Sequence, residues 1–77
     1  MDAVHLRRVD ATRNMRRFYR IEIQTDLFGG ALLVKQWGRI GKCGRMAARR
    51  YADAALAAEA LQKQIARKRR RGYAIVG

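Results

Sequence analysis

Apolar and polar residues alternate along FYRIEIQ, residues 18–24. In an extended chain Tyr19, Ile21 and Ile23 share one face and the polar residues between them share the other, which predicts a half-buried β-strand. The following residues, TDLFGG, end in two glycines, and glycine readily adopts the positive φ angles of a hairpin turn. Residues 31–40, ALLVKQWGRI, are therefore predicted to form a second strand, antiparallel to the first.

Trp37 has an unusual position for so large an apolar side chain, because it lies between a glutamine and a glycine. Because successive side chains of a strand point to alternate faces, Trp37 shares a face with Lys35 and Arg39, and Val34 lies on the other face. A strand that stays regular through Gly38 therefore places the indole on the polar side of the sheet. A bulge at this glycine would reverse the direction of the indole, so both orientations stay open at the level of sequence.

Three further segments complete the predicted sheet. Residues 4–9, VHLRRV, are predicted as a short edge strand, and residues 10–14 as the turn that follows it. A second glycine-bounded turn, GKCG, leads to a less regularly alternating strand at residues 45–51, RMAARRY. The segment YAIV, residues 73–76, is compatible with a closing strand.

The last third of the chain favours a single helix. Asp53 suits an N-cap, no breaker interrupts residues 54–71, and Gly72 suits the position just after a helix. The predicted apolar stripe comprises Ala54, Ala58, Leu61 and Ile65. Strands followed by one helix predict an α+β domain, in which one long helix packs across a small twisted antiparallel sheet.

Composition sharpens this prediction. The chain has 77 residues and no proline, linker or repeat, so residues 1–77 are predicted to form one domain. Lys and Arg number 18 against 6 Asp and Glu, which gives a formal net charge of +12. Most of these cations are arginine, whose planar guanidinium matches phosphate oxygens. This excess indicates a polyanionic partner, nucleic acid ahead of an anionic membrane or an acidic protein; the alternative is a solvated basic surface without a dedicated partner.

The sequence offers no support for catalysis. His5 is the only histidine, Cys43 is the only cysteine, and no spacing of these residue types fits a zinc site. The acidic residues are scattered, so none forms a pair suited to general acid–base chemistry. We therefore predict a protein that is not an enzyme and has no cofactor or metal. No run approaches the about 20 apolar residues of a membrane span, and a lone cysteine suits a reducing compartment, so the predicted location is cytoplasmic.

A run of five cations, residues 67–71, closes the predicted helix. One interpretation is a solvated helix end, where cations complement the negative end of the helix dipole. The other is contact with phosphate groups. The six acidic residues of the chain are scattered and distant in sequence from this run, so they cannot pair all five of its cations. Consecutive residues wrap around a helix, so only about half of the run can face any one partner.

The stretch Trp37-Gly38-Arg39-Ile40-Gly41, followed by Gly44, resembles the signature of the WGR domain family. Phe18-Tyr19, Tyr51 and the closing pattern from Lys68 to Gly72-Tyr73 agree with that family in order, and the resemblance covers about residues 14–75. This module occurs in DNA-dependent poly(ADP-ribose) polymerases and as a small stand-alone bacterial protein.

The resemblance implies a twisted antiparallel sheet with one packed helix. In the polymerases the module helps to bind DNA ends, its tryptophan stacks on a terminal nucleotide and its arginine meets the backbone; the matching positions here are Trp37 and Arg39. The residues of this chain include no catalytic domain, so the polymerase activity does not carry over. An alternative function for Trp37 is purely structural, as a side chain that covers the end of the helix.

Together these patterns predict a non-enzymatic nucleic-acid-binding module, with DNA favoured over RNA by the resemblance alone. The rival hypotheses are RNA binding and a protein-interaction module that docks on an acidic protein, such as a separately encoded nucleic-acid enzyme. No membrane partner is predicted, and the sequence leaves the oligomeric state open. The predicted nucleic-acid-binding residues are Trp37, Arg39, Lys35, Lys42, Arg45, Arg69, Arg70 and Arg71.

Overall fold

A computed structural model describes residues 3–77 and confirms the α+β architecture. Each predicted strand is present, and a single 3₁₀ turn at Ala11–Arg13 lies where the first turn was predicted. The strands and the helix are β1 (Val4–Asp10), β2 (Met15–Thr25), β3 (Ala31–Arg39), β4 (Arg45–Tyr51), α1 (Ala54–Arg70) and β5 (Ala74–Ile75).

The five strands form one antiparallel sheet in the order β4-β3-β2-β1-β5. The prediction that residues 4–9 form an edge strand was therefore wrong, because the short β5 pairs with β1 on its outer side. The backbone extends this pairing beyond β5, since the N–H of Val76 donates to the carbonyl of His5 at 2.8 Å. The free edge on the other side of the sheet is β4.

Strand β2 begins three residues before the predicted start, at Met15 rather than at residue 18. The added residues include Arg16 and Arg17, which pair across the sheet with Val9 and Arg8 of β1. A run of arginines has no alternation of burial, so the sequence pattern did not detect this part of the strand. Pairing with β1 on one side, and of Arg17 with Arg39 of β3 on the other, holds this segment in an extended conformation.

Helix α1 has the predicted caps. The Asp53 carboxylate accepts a hydrogen bond from the N–H of Leu56 at 2.9 Å, and Gly72 follows the helix with a φ of +94°. The buried face differs by one position from the predicted stripe, because Ala57 is buried while Ala54 is exposed. Among the described residues no helix is both long and apolar enough to cross a membrane.

The core lies on one face of the sheet, under α1. It contains apolar residues of β1, β2 and β3 together with the buried face of the helix. Within residues 3–77 no helix covers the opposite face of the sheet, although Val34 is shielded there to 7% exposure. The buried core residues are Leu6, Tyr19, Ile21, Ile23, Ala31, Leu33, Ala57, Leu61 and Ile65.

Candidate nucleic-acid interface

Trp37 lies on the face of the sheet that carries the core. It pairs across the sheet with Tyr19 of β2, and its strand neighbour Leu33 on the same face is buried. The strand stays regular through Gly38, so the predicted side shared with Lys35 and Arg39 is confirmed. The interpretation of that side as the polar, outward one was wrong, because the apolar residues of β2 occupy it and α1 covers it.

The indole is nevertheless only partly covered. It packs against the core cluster and also lines two neighbouring cavities. The inner cavity, of about 170 Å³, lies towards the helix and is also lined by Lys35, Gln64 and Lys68. The outer cavity, of about 450 Å³, opens towards the end of the sheet. Trp37 therefore combines a packing role with an accessible aromatic surface, and neither of the two sequence-based alternatives describes it alone.

A row of three arginines crosses the sheet beside the outer cavity. Arg8 of β1 pairs with Arg17 of β2, and Arg17 pairs with Arg39 of β3, so all three side chains leave the face that carries Trp37. None of them makes an ion pair with a carboxylate of residues 3–77. Like charges directly opposite each other destabilise a sheet. The row is thus an electrostatic cost that an anionic ligand would offset.

Lys68 of α1 lines both cavities that border Trp37, including the outer one beside this arginine row. Its Nζ lies 4.7 Å from the ring centroid of Tyr19 and 5.4 Å from that of Tyr73. Burial lowers the pKa of Lys68, and the surrounding cations, first among them Arg71, lower it further. A phosphate in the outer cavity would relieve this repulsion, because it would place a negative charge beside a cluster of unpaired cations.

Two glycines of the signature have a structural function. A Cβ atom on Gly38 would lie 2.7 Å from the Cα of Gly44, and a Cβ on Gly44 would collide with the carbonyl oxygen of Trp37. Gly44 also has a φ of +72° and lies against the ring of Phe18. These glycines allow β3 and the turn before β4 to pack closely, which fixes the strand segment that carries Trp37 and Arg39.

The predicted site residues lie at one end of the molecule, but only some of them meet. Trp37 and Arg39 line the outer cavity, and Lys35 lines the inner one. Arg45 pairs with Trp37 from β4 and lies on the same face of the sheet. Four of the predicted residues are exposed around the cavities without lining them: Lys42 in the turn after β3, and Arg69, Arg70 and Arg71 at the end of α1.

Several residues of this site were missed at the sequence level. Arg17 and Tyr73 line the outer cavity, together with Asn14 from the turn before β2. Arg8 joins them through its pairing with Arg17. The available signal was the run of basic residues before Phe18, which becomes informative only when the register between β1, β2 and β3 is known.

The charged residues are distributed unevenly along the strands. A division that crosses the strands therefore separates the molecule into two halves of different charge. The Trp37 half contains residues 3–21, 35–47 and 64–77, and the tip half contains residues 22–34 and 48–63, including the hairpin tip between β2 and β3. The Trp37 half holds fifteen of the eighteen Lys and Arg and one described carboxylate. The charged residues of the tip half are Glu22, Asp26, Arg49, Arg50, Asp53, Glu59 and Lys63.

Comparison with known proteins identifies the family of this chain. The family model of the WGR domain matches residues 2–76, so the chain belongs to the WGR domain family. A protein of Sinorhizobium fredii (strain NBRC 101917 / NGR234), described as "Uncharacterized protein y4dW", is 36% identical over 70 residues. That alignment covers 91% of this chain and 34% of the relative, so the chain spans about a third of the relative's length. No solved structure matches the chain.

Proposed function

We propose that this chain is a non-enzymatic nucleic-acid-binding module that binds DNA through its Trp37 half. The observation that carries the proposal is the concentration of fifteen cations around a half-covered indole. Membership of the WGR family supports nucleic acid as the polyanion, and the preference for DNA rests on the polymerase members of that family. The proposal includes a cytoplasmic location.

The cations provide attraction without sequence information. A protein that neutralises phosphates releases counterions, so affinity falls steeply as salt increases. The arginine row, formed by Arg8, Arg17 and Arg39, crosses three adjacent strands and so can follow a run of phosphates along a backbone. Arginine suits this role because its guanidinium can donate two hydrogen bonds to one phosphate.

Trp37 provides the contact that distinguishes nucleic acid from other polyanions. The outer cavity is lined by the indole on one side and by Arg39 and Lys68 nearby, so a base or a sugar can lie against the ring while its phosphate meets the cations. Stacking of a base on an aromatic side chain contributes about 1–3 kcal/mol. A closed, continuous duplex offers no unstacked base, so ends, nicks and single strands are the preferred forms.

The test is a titration followed by the fluorescence of Trp37, the only tryptophan in the chain. We expect emission to decrease with linear, nicked or single-stranded DNA, and to change less with closed circular duplex. If about five phosphates are contacted, log K should fall against log salt with a slope near −4 to −5. Single-stranded and duplex RNA form parallel arms of the titration, and tighter binding of RNA would replace DNA as the ligand.

Polyglutamate is the matched control because it provides negative charge without bases. We expect it to bind more weakly than single-stranded DNA at equal charge and to leave the emission of Trp37 nearly unchanged. Equal affinity for polyglutamate, with fluorescence indifferent to DNA, would reject the nucleic-acid function and favour an acidic protein as the partner.

A further inference from the structure

The hairpin tip between β2 and β3 exposes two adjacent large apolar side chains. Leu27 is 98% exposed and Phe28 is 89% exposed, the two highest values among the exposed large apolar residues of the described chain. Contiguous exposed apolar groups of this kind commonly mark a contact with another molecule. The nucleic-acid interface does not use them, because the tip and the Trp37 half lie at opposite ends of β3.

The tip is held in a defined conformation. The Asp26 carboxylate accepts hydrogen bonds from the backbone N–H groups of Phe28 and Gly30, each at 2.8 Å. Its second oxygen pairs with Arg50 of β4 at 3.2 Å. The backbone N–H of Asp26 also donates to the carbonyl of Gly30 at 3.0 Å. A braced turn loses little conformational freedom on binding, which favours a contact by the apolar side chains that it presents.

The same half of the molecule contains an apolar groove. Between β4 and the first turns of α1, Tyr51, Leu56 and Ala60 line a groove of about 330 Å³ together with the charged residues Glu59 and Lys63. Leu56 is 46% exposed in this groove. Lys63 forms an ion pair with Glu59 at 3.2 Å, so the groove presents no unpaired charge among the described residues. An apolar projection and an apolar groove thus occur together in the tip half.

The charge of the tip half indicates which kind of molecule can cover its exposed tip and its groove. The tip half holds three cations and four carboxylates, so it does not attract a polyanion such as nucleic acid or an anionic membrane. A second copy of this chain carries the same net charge of +12, and its Trp37 half is repelled by the Trp37 half of the first. The tip half is the part of the described chain on which two copies can meet with little repulsion.

We propose that two copies of this chain associate through their tip halves, with Leu27 and Phe28 of each copy seated in the groove of the other. Such an arrangement is isologous, because each copy contributes both the projection and the groove about a two-fold axis. Contact between the two tips alone would cover only a few hundred Å², well below the about 1,200–2,000 Å² of stable interfaces. Reciprocal seating adds both grooves to the buried surface and keeps the two Trp37 halves apart.

The experiment is sedimentation equilibrium of the purified chain between about 10 µM and 1 mM, a range suited to weak dimers. We expect a monomer–dimer equilibrium that strengthens as salt rises from 50 to about 500 mM, because salt screens the remaining repulsion between the copies. This dependence is opposite in sign to that of nucleic-acid binding. A monomer throughout the whole concentration and salt range would overturn the proposal.

Three variants locate the interface, and a melting curve for each confirms the fold. The tip variant, Leu27→Ser with Phe28→Ser, and the groove variant, Leu56→Glu, should each weaken association at least tenfold. The matched control replaces two exposed apolar residues of the Trp37 half, Val9→Ser with Met46→Ser, and should associate as the wild type does. Equal weakening by the control would show non-specific association and reject the interface.

Mixing separates reciprocal seating from contact between tips. In a mixture of the tip and groove variants, an intact tip of one copy meets an intact groove of the other, so mixed dimers should exceed the dimers of either variant alone. If the tip variant loses association while Leu56→Glu retains it, reciprocal seating is wrong. A tip variant that binds DNA more weakly than the wild type would assign the tip to the nucleic-acid interface instead and would also overturn the proposal.

Discussion

The two halves of the molecule are built on the same three strands and the same helix, but they use charge in opposite ways. In the tip half every carboxylate has a structural role, because Asp53 caps α1 while Glu22, Asp26 and Glu59 each pair with a cation. In the Trp37 half thirteen of the fifteen cations make no ion pair among the described residues. Paired charges support the fold, whereas unpaired like charges oppose it. The contrast therefore separates a half whose charges support the fold from one whose unpaired cations are the basis of the proposed nucleic-acid binding.

The halves also differ in how their aromatic residues are used. Tyr51 in the tip half and Trp37 in the other are both partly buried against the core cluster. Trp37 alone borders a cavity lined by arginines, while Tyr51 borders the apolar groove and lies 5.3 Å from the guanidinium of Arg49. Trp37 and Tyr51 are both partly buried against the core but have different surroundings, so comparing substitutions at the two positions separates packing from ligand binding.

The largest expected effect on stability concerns the two hairpin turns. Gly29 in the tip half and Gly44 in the Trp37 half both have positive φ angles, +82° and +72°, but only at Gly44 would a Cβ meet backbone atoms. Gly29→Ala should cost about 1–2 kcal/mol through its backbone conformation. Gly44→Ala should cost about 1–3 kcal/mol more through overpacking. Urea unfolding measures both, and equal costs would show that the turn before β4 is not tightly packed.

The next effect concerns the two aromatic residues. Trp37→Leu should weaken binding of single-stranded DNA about 5- to 150-fold, as expected for the loss of one stacking plane. Its cost in stability should stay below the about 3–5 kcal/mol of a fully buried large-to-alanine substitution, because leucine retains part of the packing. Tyr51→Leu is the control and should leave the DNA affinity unchanged. If both variants bind DNA as the wild type does, Trp37 is a packing residue only.

A smaller effect is expected for Lys68→Met, which retains the apolar stem and removes the charge. The pKa of Lys68 is held below its ordinary value of 10.5, so the folded protein disfavours the protonated form. In the pH range between the lowered pKa and 10.5 the unfolded chain holds more protons, and stability rises with pH. The variant should lack this contribution, melt no lower than the wild type at neutral pH and bind DNA several-fold more weakly.

The difference between the wild-type and Lys68→Met stability curves isolates this group, because other groups titrate alike in both. DNA binding followed at two salt concentrations should show a slope shallower by about one phosphate contact. A variant that melts lower and binds DNA normally would assign Lys68 to packing against Tyr19 and Tyr73.

The smallest effect is expected at Asp26. Its pKa is lowered from the ordinary value of 3.8, first by the hydrogen bond from the N–H of Phe28 and then by those from Gly30 and Arg50. The carboxylate therefore stabilises the fold above pH 3.8, and this contribution is lost as pH falls through the lowered pKa. Asp26→Asn should lower the melting temperature slightly at pH 7, by a difference that shrinks as pH falls below 3.8, with unchanged DNA affinity. A difference that stays constant as pH falls below 3.8 would contradict this assignment.

Sequence reasoning located the elements because their signals are local. The alternation in β2, the Asp53 cap and Gly72 depend on neighbouring residues, and each is present as predicted. The face of Trp37 was misjudged because alternation gives the side that residues share but not which side α1 covers. That choice depends on the buried residues of β2, Tyr19 and Ile21, which pair with Trp37 and Lys35.

The site was predicted only in part for a related reason. Trp37 and Arg39 belong to a contiguous signature, so sequence alone could single them out. Arg8 and Arg17 become neighbours of Arg39 through strand register, which is non-local information. The cations at residues 69–71 were predicted to bind because they form part of a consecutive basic run, yet the cation of α1 that lines both cavities is Lys68.

The most direct test of the nucleic-acid interface compares two triple variants with the same net charge. One replaces Arg8, Arg17 and Arg39 with glutamine, and the other replaces all three cations of the tip half, Arg49, Arg50 and Lys63. For the first variant we predict at least a tenfold loss of DNA affinity at low salt and a salt slope shallower by about 2–3. The second should bind within about twofold of the wild type, because long-range effects on exposed charges are screened. Equal weakening of both variants would show that net charge alone binds DNA, and would contradict an interface confined to the Trp37 half.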